Sequence, residues 1–201
     1  WIAADWGTTH MRAWAIGEEE NVLAFRESNE GMKDLQQNEF EPVLLRLIES
    51  WLDDTKVTTV MACGMVGAKQ GWVETPYLKT PCVPIDNNQL TTANTHDKRI
   101  IVHLVPGVMQ NHPADIMRGE ETQISGFINK NKGFKGVVCL PGTHAKWVNI
   151  QEGQISSFKT FMTGELFGVI SNHTLIRHST SIKGWNQESF EEGIHEGFNN
   201  P

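Results

Sequence analysis

The sequence is short of positive charge, of cysteine and of long apolar runs. Its 17 Lys and Arg are outnumbered by 24 Asp and Glu, a formal net charge of −7 at pH 7. Such a surface repels polyanions, so neither nucleic acid nor an anionic membrane is expected as a non-specific partner. Small anions held by local groups are not excluded. The longest apolar runs, such as IIVHLV at 100–105, fall far below the roughly 20 residues that span a bilayer. No secretory leader is legible, although the chain opens on Trp1. The three cysteines, Cys63, Cys82 and Cys139, are odd in number and lack metal-ligand spacing. Reduced thiols in a cytoplasmic protein are therefore expected. No pair of histidines stands at metal spacing. There is no G-x-x-x-x-G-K-[ST], which excludes a P-loop.

What is present is a chain of 201 residues, 39% hydrophobic and 20% charged. That suits one large globular domain or one and a half ordinary ones, able to bury a core without staples. Residues 1–6, 11–16 and 22–28 read as strands. Phe40, Val43, Leu44, Leu47, Ile48, Trp51 and Leu52 recur at steps of three and four and predict a helix. A strand is expected at 57–62, then an irregular stretch over 63–98, then a strand at 99–105 ended by Pro106-Gly107. A loop as long as 63–98 is usually functional. A helix is expected from about Arg118-Gly119-Glu120 to Lys130. From 178 onward the chain reads as polar loop with a short helix at 187–197.

An internal recurrence follows residue 135. GVVCLPGTHAKWVNI (136–150) reads as strand, turn, strand; QISSFKTFM (154–162) as a third strand; and Thr163-Gly164-Glu165 opens a helix. Strand, strand, strand, helix is also the order from residue 1 to 52. The first turns match: Gly7-Thr8 with Gly142-Thr143, each followed by a cation and a Trp, Arg12 and Trp14 or Lys146 and Trp147. Such spacing is too long for a solenoid and suits a duplicated domain.

The turn in DWGTT has a chemical reading. Gly and Thr between two strands expose several backbone N–H groups together, a nest that accepts phosphate oxygens. Gly7 would allow close approach and a positive φ, and the Thr8 and Thr9 hydroxyls would add donors. Asp5 is a hard carboxylate suited to Mg²⁺, with Arg12 as a compensating cation. The plain alternative is a hairpin whose polar groups bond locally. The recurrence favours phosphate: two Gly-Thr turns facing each other would grip one polyphosphate, and only the first carries the acid, since Leu140 stands in the place of Asp5.

These residues resemble the sugar-kinase, heat-shock-protein-70 and actin superfamily. DWGTTHMRAW, CGMVGAKQGW (63–72), IMRGEETQ (116–123), LPGTHAKW (140–147), FMTGEL (161–166) and GFNNP (197–201) together resemble the 2-dehydro-3-deoxygalactonokinase family. The resemblance implies an α/β, ribonuclease-H-like actin/sugar-kinase fold of two lobes with a β-β-β-α repeat. Residues 1–135 would form the first lobe, with the phosphate motif and sugar-acid site, and 136–201 the start of a second, nucleotide lobe. Two such lobes need about 300 residues, so the second is incomplete in this chain and its adenosine-binding segment is absent. The family transfers the γ-phosphoryl of ATP, with Mg²⁺, to the 6-hydroxyl of 2-dehydro-3-deoxy-D-galactonate. The implied partners are thus ATP and a small sugar acid.

The superfamily places its catalytic carboxylate near the start of a first-lobe helix. Here that is Glu120 or Glu121, with Glu120 preferred; the plain alternative is that both complement the helix dipole. Asp5 is a less favoured base. An acid substrate calls for a cation: Arg118 first, whose fork can grip a carboxylate, and Lys69 second. Gly64, Met65 and Gly67 belong to a loop whose backbone could approach the ligand. Trp72 is expected to stack on the sugar or to sit in the core, and His144 to make a local hydrogen bond. The rivals are another superfamily kinase with a different acceptor, and a nucleotide-binding interaction module.

Overall fold

A computed structural model of the chain describes residues 1–179 and 184–200. By packing it divides into two units, Trp1–Leu140 with Lys146–Thr160, and Pro141–Ala145 with Phe161–Pro201. Residues 180–183 of the polar stretch and Pro201 of the GFNNP motif lie outside the described residues.

The first unit is built on a six-stranded sheet. In chain order its strands are β1 (Ile2–Trp6), β2 (Met11–Ile16), β3 (Val22–Ser28) and β4 (Thr58–Gly64). Across the sheet, β3, β2, β1 and β4 are followed by two later strands at 100–104 and 91–93. β1–β2 and β2–β3 run antiparallel, and β4 lies parallel to β1. That is the order and direction expected of a ribonuclease-H-like lobe.

Strand periodicity explains the placement of Asp5. Alternate residues of a strand face opposite sides. Ile2, Ala4 and Trp6 are buried on one side, with Met11 and Ala13 of β2 and Val60 and Ala62 of β4. They pack on helix α1 (Phe40–Ile48), which buries Phe40, Val43, Leu44 and Ile48 as its 3.6-residue period predicts. Ring centroids of Trp6 and Phe40 are 5.1 Å apart, and Trp72 stacks on Phe40 at 6.2 Å. Trp72 is therefore core. Asp5 falls on the other face, opposite Arg12 on one side and Cys63 on the other. Buried Glu41 is satisfied by the N–H groups of His96 and Asp97 at 2.7 and 2.8 Å and by the His96 ring.

The stretch 63–98 is more ordered than its composition predicts. It holds β5 (Tyr77–Lys79) and β6 (Thr91–Ala93), each three residues long. Strands that short show no readable alternation; they exist because β6 pairs with β7 (Ile100–Leu104) and β5 with β8 (Gly107–Asn111). β8 and β9 (Ala114–Met117) form an unanticipated hairpin. Helix α2 (Glu120–Lys130) follows. β10 (Gly136–Leu140), β11 (Ala145–Gln151) and β12 (Gln154–Phe161) form a third sheet. Val148, Ile150, Ile155 and Phe158 cluster with Val108, Met117 and Ile124 in a second core.

The second unit holds α3 (Thr163–His173) and α4 (Gln187–Asn199). The order β10-β11-β12-α3 repeats β1-β2-β3-α1 as expected, and α4 covers the predicted helix at 187–197.

Candidate active site

The two Gly-Thr turns share a bracing pattern that the sequence did not disclose. In the first, the N–H groups of Met32 and Lys33 donate to Gly7 O and Thr8 O at 3.0 and 3.1 Å. In the second, those of Gly164 and Glu165 donate to Gly142 O and Thr143 O at 3.2 and 3.0 Å. Each turn thus gives its carbonyls to the chain that follows the third strand of its repeat. Among the described residues, no acceptor takes the N–H of Thr8, Thr9, Gly142 or Thr143. Donors left free and exposed in this way suit phosphate oxygens. The duplication therefore extends to the bracing segment, GMK (31–33) and TGE (163–165), which sequence matching of the turns alone missed.

The braces need glycine for space. A Cβ on Gly31 would lie 2.3 Å from Thr8 O and from Thr9 backbone carbons; on Gly164 it would lie 2.8 Å from Gly142 O. The turn glycines have no such constraint. Neither Gly7 nor Gly142 is among the residues with positive φ, contrary to the expectation for Gly7. The first turn is closed by the Gly7 N–H, which donates to His10 O at 2.8 Å, and both turns are held by the braces.

Asp5 is half-buried with the Arg12 guanidinium 3.8 Å away. Burial holds its carboxyl above the usual range, and the Arg12 charge partly offsets this. It lines a cavity of about 440 Å³ with Cys63, Gly119 and Thr122. Among the described residues no group of three or more acidic, His or Cys side chains could hold a metal. A lone carboxylate near free donors fits Mg²⁺, which keeps several waters and is completed by substrate phosphates.

The glycines at 64 and 119 bring distant segments beside Asp5. Gly64 has φ +90° and a Cβ there would lie 3.4 Å from Asp5 Oδ1; Gly119 has φ +108°, and its Cβ would lie 3.4 Å from Gly64 Cα. Gly119 directly precedes α2, so Glu120 opens the helix near this cluster.

The two glutamates have different environments. Glu120 is half-buried and its Oε2 accepts the Arg118 N–H at 3.1 Å. Glu121 is fully buried, with Oε2 accepting the Gly119 N–H at 2.7 Å. Burial pushes the Glu121 carboxyl up to about 7, against the pull of the backbone N–H bonds. Cys63, desolvated beside Asp5 and Glu121, is pushed up to about 12 and is not a poised nucleophile.

Glu121 should therefore make stability pH-dependent. The unfolded carboxyl releases its proton near 4.5, the folded one near 7. Between these values the folded state binds the extra proton, so stability falls as pH rises through the window and levels off above it. The loss is roughly 3 kcal/mol. Urea unfolding at pH 5 and pH 8 should show the wild-type minus Glu121→Gln difference shifting by about that amount. A difference unchanged between the two pH values would refute the raised carboxyl.

Arg118 is engaged within the protein. Its Nη1 donates to Thr75 Oγ1, its Nη2 to Thr75 O at 3.1 Å, and its guanidinium lies 4.3 Å from the Tyr77 ring centroid. Its buried Nε has no partner. Gly67 makes room for this contact, since a Cβ there would lie 2.9 Å from Arg118 Nη1. Lys69 is exposed and lines a separate cavity. Met65 and Gly67 form a tight turn after β4. His144 meets the Glu165 carboxylate, the local bond expected of it.

The sheet order and the repeated β-β-β-α unit define a ribonuclease-H-like α/β protein of the actin-like ATPase and sugar-kinase class. More narrowly, the chain belongs to the 2-keto-3-deoxy-galactonokinase family, whose model matches residues 5–201. It is 39% identical over 184 residues to the probable 2-dehydro-3-deoxygalactonokinase DgoK1 of Rhizobium meliloti (strain 1021), covering 90% of this chain and 59% of that protein. It is 34% identical over 204 residues to the 2-dehydro-3-deoxygalactonokinase of Escherichia coli (strain K12), covering 100% of this chain and 66% of that protein. A solved Sinorhizobium meliloti structure bearing the same family name superposes with a TM-score of 0.81 at 37% identity, covering 92% of this chain and 60% of that one. The chain thus spans about six-tenths of the length of these relatives.

Proposed function

We propose that the protein is an ATP- and Mg²⁺-dependent kinase phosphorylating the 6-hydroxyl of 2-dehydro-3-deoxy-D-galactonate. What supports this, besides family membership, is the close approach of Asp5, Gly64 and Gly119, beside a turn with free N–H groups. Residues 1–135 act as the first lobe and 136–201 as the start of the nucleotide lobe. Thr8 and Thr9 bind phosphate oxygens through their N–H and hydroxyl groups, Gly7 holds the turn closed with its N–H on His10 O at 2.8 Å, and Gly142 and Thr143 form a second phosphate turn. Asp5, with the Thr8 or Thr9 hydroxyl, would hold Mg²⁺, which when bound neutralises phosphate charge. Gly64, Met65 and Gly67 line the acceptor side, near Arg118 and Lys69. Three free cysteines suit a reducing, cytoplasmic setting.

In the transfer, the acceptor oxygen forms a bond to the γ-phosphorus and the bond to the β–γ bridging oxygen breaks, releasing ADP. The hydroxyl proton goes to a carboxylate. Between Glu120 and Glu121, Glu120 is the better base, because Glu121 is sealed from solvent while Glu120 is accessible at the head of α2. Glu121 positions the Gly119 turn that carries it.

A coupled ADP-release assay on the full-length protein tests this, with 2-dehydro-3-deoxygalactonate, its gluconate epimer and no acid. Turnover with the galacto acid is expected. ADP release indifferent to every acid would make the protein a nucleotidase or interaction module instead.

A further inference from the structure

A cavity of about 760 Å³ opens between residues 32–38 and residues 69–70, on the side of the first phosphate turn. Lys33, Gln36, Gln37, Asn38, Lys69 and Gln70 supply its polar lining. We infer that this cleft receives the sugar acid, with Lys33 and Lys69 gripping its carboxylate. The inference rests on the kinase reading and replaces Arg118 as the anion-binding group of that reading.

Three observations carry it. The first is charge. Among the described residues, four of the Lys and Arg side chains are paired with carboxylates: Arg12 with Asp5 and Glu27, Arg46 with Glu30, Lys56 with Asp53, Arg99 with Glu49, Asp54 and Asp97. Lys146 is held by Ile116 O and Thr160 Oγ1, both at 2.7 Å. Among the described residues, neither Lys33 nor Lys69 has an acidic group within 4.0 Å. Two such ammonium groups from different chain segments line this one cavity, which suits an anionic ligand.

The second observation is the remaining lining. Four amide side chains offer paired donors and acceptors, which match the hydroxyl and keto groups of a sugar acid better than an apolar ligand. The third is connection to the chemistry. The Lys33 N–H is bonded to Thr8 O at 3.1 Å, so the cleft begins at the phosphate turn. Lys69 lies five residues after Gly64, which adjoins Asp5. Arg118, by contrast, spends both Nη atoms on Thr75 and faces Tyr77.

The test is steady-state kinetics on the full-length protein and its Lys33→Gln, Lys69→Gln and double variants. ATP and the sugar acid are varied separately, and the methyl ester of the acid serves as the uncharged control. Both lysines are exposed, so the variants should fold, which circular dichroism and thermal midpoints check. Each substitution should raise KM for the acid roughly tenfold, and the pair about a hundredfold, with kcat and KM for ATP little changed. The ester should show the weak KM of the double variant in every protein. Unchanged KM for the acid, with kinase activity intact, overturns the cleft and leaves the kinase reading standing. Raised KM for ATP rather than for the acid also overturns it, and makes the cleft a nucleotide-phosphate site. A wild-type protein that turns over no acid overturns the kinase reading and this inference together.

Discussion

Glu120→Gln is expected to lower kcat by roughly 10²–10⁴-fold, the usual contribution of a general base, equivalent to about 3–5 kcal/mol of barrier. KM for ATP and for the acid should change little, because the amide keeps the shape and the acceptor for the Arg118 N–H, 3.1 Å away in the wild type. Only the ability to take the hydroxyl proton is lost. Glu121→Gln provides the contrast. Glu121 is sealed from solvent and holds the Gly119 N–H at 2.7 Å, so its loss should act on stability and its pH dependence more than on the chemical step. Single-turnover rates for the two variants decide. A Glu120→Gln protein with wild-type turnover would remove this residue as the base. Loss of turnover confined to Glu121→Gln, with folding intact, would reverse the two roles.

Gly31→Ala carries the second large effect. The new Cβ would lie 2.3 Å from Thr8 O, Thr9 C and Thr9 Cα, all backbone atoms that cannot swing aside as a side chain would. Relief requires moving either the first phosphate turn or the 31–33 brace, which the bonds from Met32 and Lys33 hold together. Overpacking of this kind costs about 3 kcal/mol or more. Because the displaced group is the turn itself, KM for ATP should also rise, about tenfold. Gly126→Ala is the control. Gly126 lies within α2, where an added Cβ would meet nothing within 4 Å, so alanine there should be neutral or stabilising by up to about 1 kcal/mol. Urea unfolding and ATP titration of both proteins test the pair. Gly31→Ala with the stability and ATP affinity of Gly126→Ala would show that the brace does not hold the turn.

The bracing also bears on how the internal repeat works. The two halves share their turn residues, and each turn is held by the segment after its third strand. The chemistry around the turns differs. Asp5 precedes one, in register with Arg12, while Leu140 occupies the matching place before the other. The His144–Glu165 contact belongs to the second turn alone. On the proposed reading, these differences would let the first turn serve metal and transfer and the second serve binding.

The sequence by itself determined the elements with strong periods and the motifs with local chemistry. Alternation in IAADW put Ile2, Ala4 and Trp6 toward α1 and Asp5 on the opposite face, because a strand's side chains alternate without exception. The 3.6-residue spacing of Phe40, Val43, Leu44 and Ile48 gave α1 for the same kind of reason. The duplicated Gly-Thr turn was readable because both copies kept their residue types. Only the tertiary structure decided the rest. β5 and β6 exist through pairing with β8 and β7 rather than through propensity. Glu120 and Glu121 look alike in a string of letters, but one helical step rotates them by about 100°, so one is accessible and the other buried. Arg118, expected to grip the substrate carboxylate, is engaged by Thr75 and Tyr77, and Lys33, which no sequence motif marked, lines one cavity with Lys69. These distinctions rest on contacts between residues far apart in the chain, and no local pattern encodes which distant partner a side chain will meet.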